Sequence, residues 1–483
     1  MWTQSLAREV AQIVGRDNLM TDLEDRLVFA FDATAMIKQK PAAVAAPGSV
    51  DEVAALLRLA NSRSLPIVPR GAGTGLSGGA IPVAESLVLS TLKLNRILEI
   101  DCENLTALVE PGVITADLHA AVEAKGLFYP PDPGSMKICT LGGNVAENAG
   151  GLRGLKYGVT RDYVMGLEVV LPNGEIMWTG GKCAKDVAGY DLRQILVGSE
   201  GTLGVFTKIL VKLLPKPAAK QTMLAAFPSM QTAAATVSAI IANRIIPATL
   251  EFLDQVTLRC VEDYAHIGLP TQAGAILLIE SDGHPRAAQE EIELMSRLAE
   301  ANGAFLVERA RDAAHAVELA SARRMAFPAL ARMRPTTVLE DVSVPRSRLP
   351  EMVARVQQIA LEQELLIGTF GHAGDGNLHP TILLDERNEA EVTRMHRAFA
   401  QIVEAALALG GCLTGEHGVG LLKRDFLEKH ASPPALAMMR RFRECMDPNQ
   451  ILNPGKIFRS APRREGQLPV TVEQCEPILE GLR

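Results

Sequence analysis

Of the 40 glycines in this 483-residue chain, 22 fall between Gly71 and Gly204, little more than a quarter of its length. Glycine is placed where backbone must turn with positive φ or pass close to a ligand, so such crowding points to a binding site built largely from backbone. The first cluster is Pro69-Arg70-Gly71-Ala72-Gly73-Thr74-Gly75-Leu76-Ser77-Gly78-Gly79. The second, Thr140-Leu141-Gly142-Gly143-Asn144-Val145-Ala146-Glu147-Asn148-Ala149-Gly150-Gly151, follows the stiff turn Pro130-Pro131-Asp132-Pro133-Gly134-Ser135. Tyr157-Gly158 and Gly198-Ser199-Glu200-Gly201-Thr202-Leu203-Gly204 repeat the theme. Loops spread this widely imply a long ligand wrapped by one domain.

Within the first cluster, Gly73-x-Gly75-x-x-Gly78 is formally a dinucleotide fingerprint. A Rossmann site needs a helix that starts among the glycines, so that the pyrophosphate meets its N-terminus. Here Ala80-Ile81-Pro82-Val83-Ala84-Glu85 leads through proline into another strand, which rejects that fold. No Gly-x4-Gly-Lys-Ser/Thr is present either. What remains is a loop whose free N–H groups can form an anion nest for a diphosphate, with a plain surface turn as the alternative.

Strand and helix patterns mix at short range. Val50 to Leu65 has helical spacing behind Ser49; Ser86 to Thr91, Arg96 to Ile100 and Thr106 to Val109 read as strands; Thr115 to Lys125 reads as a helix. Tyr163 to Leu171 and Ile176 to Thr179 flank Pro172-Asn173-Gly174, where Asn-Gly predicts a primed hairpin turn. Leu213 to Pro217 reads as a linker. Beyond it, strands such as Met223 to Phe227 and Ala275 to Glu280 alternate with long helices, predicting a sheet covered on one face. The expected divisions are a helical segment 1–40, a glycine-rich domain 41–217, a second domain 218–459 and a loosely held tail 460–483.

Forty-nine basic against 56 acidic residues give a net charge of -7, the wrong sign for a chain that neutralises phosphates, so nucleic acid is not an expected partner. No apolar stretch approaches the roughly 20 residues of a transmembrane helix, and the first residues lack a signal-peptide core, so a cytoplasmic location is expected. The seven cysteines lie at least 30 residues apart. Neither a disulfide framework nor an iron–sulfur site is readable in that spacing.

A second glycine-rich region carries different side chains. Gly371-His372-Ala373-Gly374-Asp375-Gly376-Asn377-Leu378-His379 and Gly415-Glu416-His417-Gly418 gather three of the nine histidines and two carboxylates. Two imidazoles and a carboxylate form a recurrent divalent-metal set, if the loop folds back on itself. Hydrogen-bonded loop histidines are the alternative reading.

Together, PRGAGTGLSGG, PPDPGS, TLGGNVAENAGG, LKYGVTRDYV and VGSEGTLGV resemble the FAD-binding domain of the vanillyl-alcohol-oxidase type. With the histidine motifs and Asp447 to Lys456, the chain from about Pro41 to Phe458 resembles the FAD-bearing subunit of glycolate oxidase and the related D-lactate and D-2-hydroxyglutarate dehydrogenases. The resemblance implies two α+β subdomains that hold FAD, then an α+β substrate (cap) domain with an antiparallel sheet and a C-terminal helical segment that returns to the flavin. It implies FAD contacts from the whole of Pro69 to Gly79 and from Pro133, Gly134, Ser135, Thr140, Gly142, Gly143, Asn144, Ala146, Asn148, Gly150, Gly151, Tyr157, Gly158, Glu200, Gly201, Gly204, Val205 and Asn453. Members with covalent FAD often carry histidine shortly after the loop arginine; Thr74 stands here, so a non-covalent flavin is expected.

For the chemistry, the resemblance implies His372, His379 and Glu416 as ligands of a divalent ion, commonly zinc, and His417 as general base. Of the pair Arg323 and Arg324, Arg323 is expected to hold a substrate carboxylate. Pro380-Thr381 and Leu339-Glu340 stand where 2-hydroxyglutarate enzymes place asparagine and lysine, which favours glycolate or D-lactate. The electron acceptor is expected to be external: a quinone, a cytochrome, a flavoprotein or an iron–sulfur subunit. A homodimer, or a hetero-oligomeric complex that brings the chain to a membrane, fits that outlet. The rivals are a flavoprotein acting on a phosphate-bearing ketone, a scaffold that binds FAD without catalysis, and a zinc hydrolase.

Overall fold

The computed structural model describes residues 2–459; the tail expected from Ser460 lies outside them. The N-terminal segment forms a helix, Gln4–Val14, begun by Thr3, whose hydroxyl accepts from Leu6 N at 3.2 Å. Its buried residues Leu6, Val10 and Val14 pack on helix Val50–Arg63, which buries Val53, Leu56, Leu57 and Ala60 at helical spacing. Beneath them lies a four-stranded sheet in the order Leu19–Met20, Ala43–Ala45, Leu87–Ser90, Ile67–Arg70. Ile67–Arg70 and Leu87–Ser90 are parallel neighbours, yet the chain between them forms no helix. The glycine loop itself makes the crossover, and this is the physical reason the dinucleotide fingerprint there is a decoy.

A five-stranded antiparallel sheet follows, in the order Ile97–Asp101, Thr106–Val109, Val205–Lys212, Val164–Val170, Ile176–Gly180. Helices Thr115–Glu123 and Leu141–Glu147 cover it, burying Leu118, Val122, Leu141 and Val145 against Val109, Leu167 and Ile209. The expected hairpin is present, but its turn is not primed. Asn173 is not among the positive-φ residues, whereas Gly174 is at 82° and donates to Leu171 O at 2.8 Å. Proline before the Asn-Gly pair imposes φ near −65° at the first central position, which yields an ordinary turn with glycine last. The expected linker is also pinned, since Leu214–Pro215 pairs with Leu127–Phe128.

The third layer is an antiparallel sheet of eight strands. Its order is Leu306–Arg309, Ala219–Phe227, Ala275–Gly283, Thr249–Asp254, Leu366–His372, Asn377–Leu384, Thr336–Leu339, with Val342–Ser343 also on Asn377–Leu384. Helices cover both faces, not one. Met223, Ala225 and Phe227 face Met230–Ala242, Pro285–Ala301, Leu349–Glu362 and Glu389–Ala408, while Leu224, Ala226 and Leu253 face Gln255–Ala265, Ala313–Arg324 and Ala326–Leu330. Strands such as Thr249–Asp254, buried at every position, cannot leave either face to water.

After helices Arg424–His430 and Pro433–Met446 the chain returns to the first sheet. The contact is made by extended residues beyond the helices: Ile67 N donates to Ile451 O and Asn453 N to Ile67 O, each at 2.7 Å. Asn453 Nδ2 then donates to Gly79 O and Glu200 O, tying two glycine loops together. Among the described residues no helix is long and apolar enough to cross a membrane.

Candidate active site

The glycine loops and the histidine motifs open on one cavity of about 800 Å³, within the usual range for a ligand pocket. Twenty-two of the 29 expected FAD contacts line it; Ser77, Gly78, Asn148, Gly150, Gly151, Tyr157 and Gly158 do not. Those seven lie outside the cavity lining. Ser77 O accepts from Leu421 N and Gly78 abuts Leu421, docking the C-terminal loop. Asn148 Oδ1 accepts from Arg161 N, Tyr157 Oη donates to Asp282 at 2.8 Å, and Gly151 and Gly158 turn with φ of 131° and 83°.

Gly150 has a sharper purpose: a Cβ there would lie 2.6 Å from Glu416 Oε2. Alanine at this position must push the carboxylate aside while leaving the flavin loops intact. Gly150→Ala is therefore expected to cut activity by about tenfold or more with FAD content unchanged, checked by steady-state kinetics and visible absorbance.

His372 and His379 do not belong to one folded-back loop. They stand on two strands of a hairpin, Leu366–His372 and Asn377–Leu384, in which Phe370 pairs with His379 and His372 with Asn377. That register makes the histidines diagonal neighbours on one face, their rings 5.2 Å apart and perpendicular. Glu416 arrives from the loop before Arg424–His430, and its Oε1 lies 3.2 Å from His372 Nε2 and 3.3 Å from His379 Nε2. His417 stacks on His379 at 5.0 Å, with Nε2 3.7 Å from the same oxygen.

Two buried carboxylates absent from the sequence expectations organise this set. Glu251 sits directly opposite His372 on the next strand; its Oε1 is 2.7 Å from His372 Nδ1 and its Oε2 accepts from Arg323 Nε at 2.5 Å. Burial pulls the His372 pKa down, but Glu251 and Glu416 outweigh it and hold it well above the ordinary value. Burial takes His379 the other way, to about 4, so that ring is neutral. Burial works against ionised Glu416 also, yet His372 and His379 hold its carboxyl well below the usual range. The other new carboxylate, Asp341, lies near His379 and His417 but is committed to backbone and side-chain donors.

The donor chemistry therefore fits a divalent ion at His372, His379 and Glu416, and not at the second grouping of Asp341, His379 and His417. In the protein alone His372 is held protonated between Glu251 at Nδ1 and Glu416 at Nε2; an ion would displace the Nε2 proton and leave Glu251 behind Nδ1–H, the arrangement that metal-binding histidines take from a carboxylate behind them. Arg323 lines the cavity, its cation 4.6 Å from the Phe370 ring centroid. Its terminal nitrogens make no hydrogen bond to the described residues, whereas Arg324 is tied bidentate to Asp132 at 3.1 and 2.9 Å. One arginine is free to meet an anion.

A chain of this fold, with glycine loops leading to a cationic and basic end, belongs to the FAD-linked oxidases. The FAD binding domain model of that family matches residues 41–180, and the FAD linked oxidases C-terminal domain model matches residues 216–457. The chain is 53% identical to the glycolate oxidase subunit GlcD of Bacillus subtilis (strain 168) over 464 residues, covering 96% of this chain and 99% of that one. It is 36% identical to the D-lactate dehydrogenase of Anaerostipes hadrus, covering 87% and 90%. Among solved structures, the 4-ethylphenol oxidase of Gulosibacter chungangensis has the same fold, with a TM-score of 0.78 at 20% identity over 95% of this chain and 97% of that one.

Proposed function

We propose that the chain oxidises a small D-2-hydroxy acid, glycolate or D-lactate, to the 2-oxo acid with FAD, and passes the electrons to an external acceptor. The observation that carries this reading is the meeting of His372, His379, Glu416, His417 and Arg323 at one end of the cavity that the glycine loops line. The names of the relatives at 53% and 36% identity support it. When bound, FAD supplies a hydride acceptor at N5. A divalent ion, zinc by the family resemblance, would be held by His372 Nε2, His379 Nε2 and Glu416 and would acidify the substrate hydroxyl.

The chain's own residues do the rest. Arg323 offers its terminal N–H groups to the substrate carboxylate while Glu251 and Phe370 fix its orientation. His417 takes the hydroxyl proton, the O–H electron pair becomes the second bond of the new carbonyl, and the Cα hydrogen leaves with both of its bonding electrons as hydride. Leu339 lines the cavity, and Glu340 is turned away onto buried Lys423. Neither can hold a second substrate carboxylate, which argues for a short acid over 2-hydroxyglutarate. Anaerobic mixing with glycolate, D-lactate and D-2-hydroxyglutarate tests this: the first two should bleach the flavin fastest. A flavin bleached by no 2-hydroxy acid overturns the reading, and one bleached fastest by 2-hydroxyglutarate overturns its small-substrate part.

The flavin is held without a covalent bond. Thr74 lines the cavity where a nucleophilic ring would be needed. Cys139 also lines it, but burial raises its thiol pKa, and its sulfur lies 3.3 Å from Thr115 Oγ1, so it is a poor nucleophile. Acid precipitation should release all the yellow colour into the supernatant; colour in the pellet would contradict this. The word "subunit" in the relative's name supports a complex, and with it an acceptor on another molecule.

A further inference from the structure

Six consecutive backbone N–H groups, Gly415 to Gly420, donate to side-chain oxygens. Gly415 N, Glu416 N and His417 N reach Asp341 Oδ2 at 2.8, 3.0 and 3.0 Å. Gly418 N reaches Thr414 Oγ1 at 3.1 Å, and that hydroxyl donates to the same Asp341 oxygen at 2.6 Å. Val419 N and Gly420 N each reach an oxygen of Glu200 at 2.7 Å. An irregular loop ordinarily leaves such donors to water; this one closes five of them on two carboxylates and the sixth on the Thr414 hydroxyl. The anchors come from opposite sides: Asp341 from the eight-stranded sheet, Glu200 from the glycine-rich half. Glu416 and His417 hang between them.

We propose that Asp341 is a positioning residue for the oxidation: its carboxylate sets where Glu416 and His417 stand in the cavity. The inference rests on the reading of His372, His379 and Glu416 as metal ligands and of His417 as base. Asp341 is 1% exposed, and its second oxygen accepts from Asn377 Nδ2 at 2.7 Å. That oxygen lies 3.7 Å from His379 Nδ1, which is buried and has no hydrogen-bond partner. With an ion between Nε2 and Glu416, the Asp341 charge behind the ring would favour the Nδ1–H tautomer and keep Nε2 for the ion. Every polar direction of the carboxylate is thus used for orientation, and none is open to substrate.

Asparagine cannot replace it. In one orientation the amide NH2 meets the N–H groups of Gly415, Glu416 and His417; in the other it meets Asn377 Nδ2. Either way donor faces donor. Thr414→Val is the milder companion, removing the donor to Asp341 and the acceptor for Gly418 N without altering charge, and Thr414→Ser keeps the hydroxyl.

The experiment compares these three variants with the parent protein, all carrying FAD, for zinc affinity against a chromophoric chelator and for anaerobic flavin bleaching by saturating D-lactate or glycolate. Asp341→Asn should lose about 10- to 100-fold in both, the range for carboxylates that orient metal ligands. Thr414→Val should move the same way by less, Thr414→Ser should match the parent, and FAD content should not change. Parental zinc affinity and bleaching in Asp341→Asn overturn the proposal. If that variant does not fold, a Thr414→Val protein unchanged in both measures overturns it. If the parent itself binds no zinc, the metal reading fails, and the positioning role is then decided by bleaching alone, which Asp341→Asn must still slow.

Discussion

Replacing His417 by alanine should slow anaerobic reduction of the flavin by about 10²- to 10⁴-fold, the range that a positioned general base contributes, while FAD and zinc stay bound. The argument for retained binding is structural. His417 contributes its backbone N–H to Asp341, and alanine preserves that bond. Its ring stacks on His379 and meets Glu416 only at 3.7 Å, so no buried carboxylate depends on it for a hydrogen bond. His379→Ala differs on both counts. It removes a ring whose Nε2 is 3.3 Å from Glu416 Oε1 and should release zinc as well as activity. Measuring zinc, FAD absorbance and the bleaching rate on both variants separates base from ligand. A His417→Ala protein that bleaches at the parental rate would falsify its role as base.

The contrast between what was readable along the chain and what was not has a physical cause. The glycine loops, the His372 and His379 motif and the Glu416-His417 pair are local patterns, and local chemistry survives in sequence order. Glu251 and Asp341 became visible only through strand pairing and loop closure. Glu251 stands in Thr249-Leu250-Glu251-Phe252-Leu253-Asp254, and Asp341 follows Leu339-Glu340. One signal is present: a carboxylate inside an apolar strand has to be paired, since an unpaired buried charge is too costly. It did not say with what, because Arg323 lies 72 residues away and His372 lies 121 away. Gly150 shows the converse. It belongs to a glycine cluster that the sequence presents as one ligand-binding unit, yet the space it leaves is filled by Glu416. The second covered face of the large sheet is not legible for a related reason, since a continuous apolar run does not announce how many faces it buries.

Arg323 carries the other large effect, and two roles have to be separated. Arg323→Met removes the group proposed to bind the substrate carboxylate. A charged hydrogen-bonded contact is worth about 1.5–3 kcal/mol, so KM should rise about 10- to 100-fold. The same change strips Glu251 of its arginine partner in a fully buried site, and breaking such a pair costs about 3–5 kcal/mol, so the melting temperature should fall too. Glu251→Gln in the same protein removes the orphaned charge, and its amide oxygen can still accept from His372 Nδ1. The double variant should therefore regain most of the lost stability while its KM stays high. Thermal melts and saturation kinetics on the single and double variants decide the matter. If KM recovers together with stability, Arg323 serves only to neutralise Glu251, and the substrate carboxylate must be held by another group in the cavity.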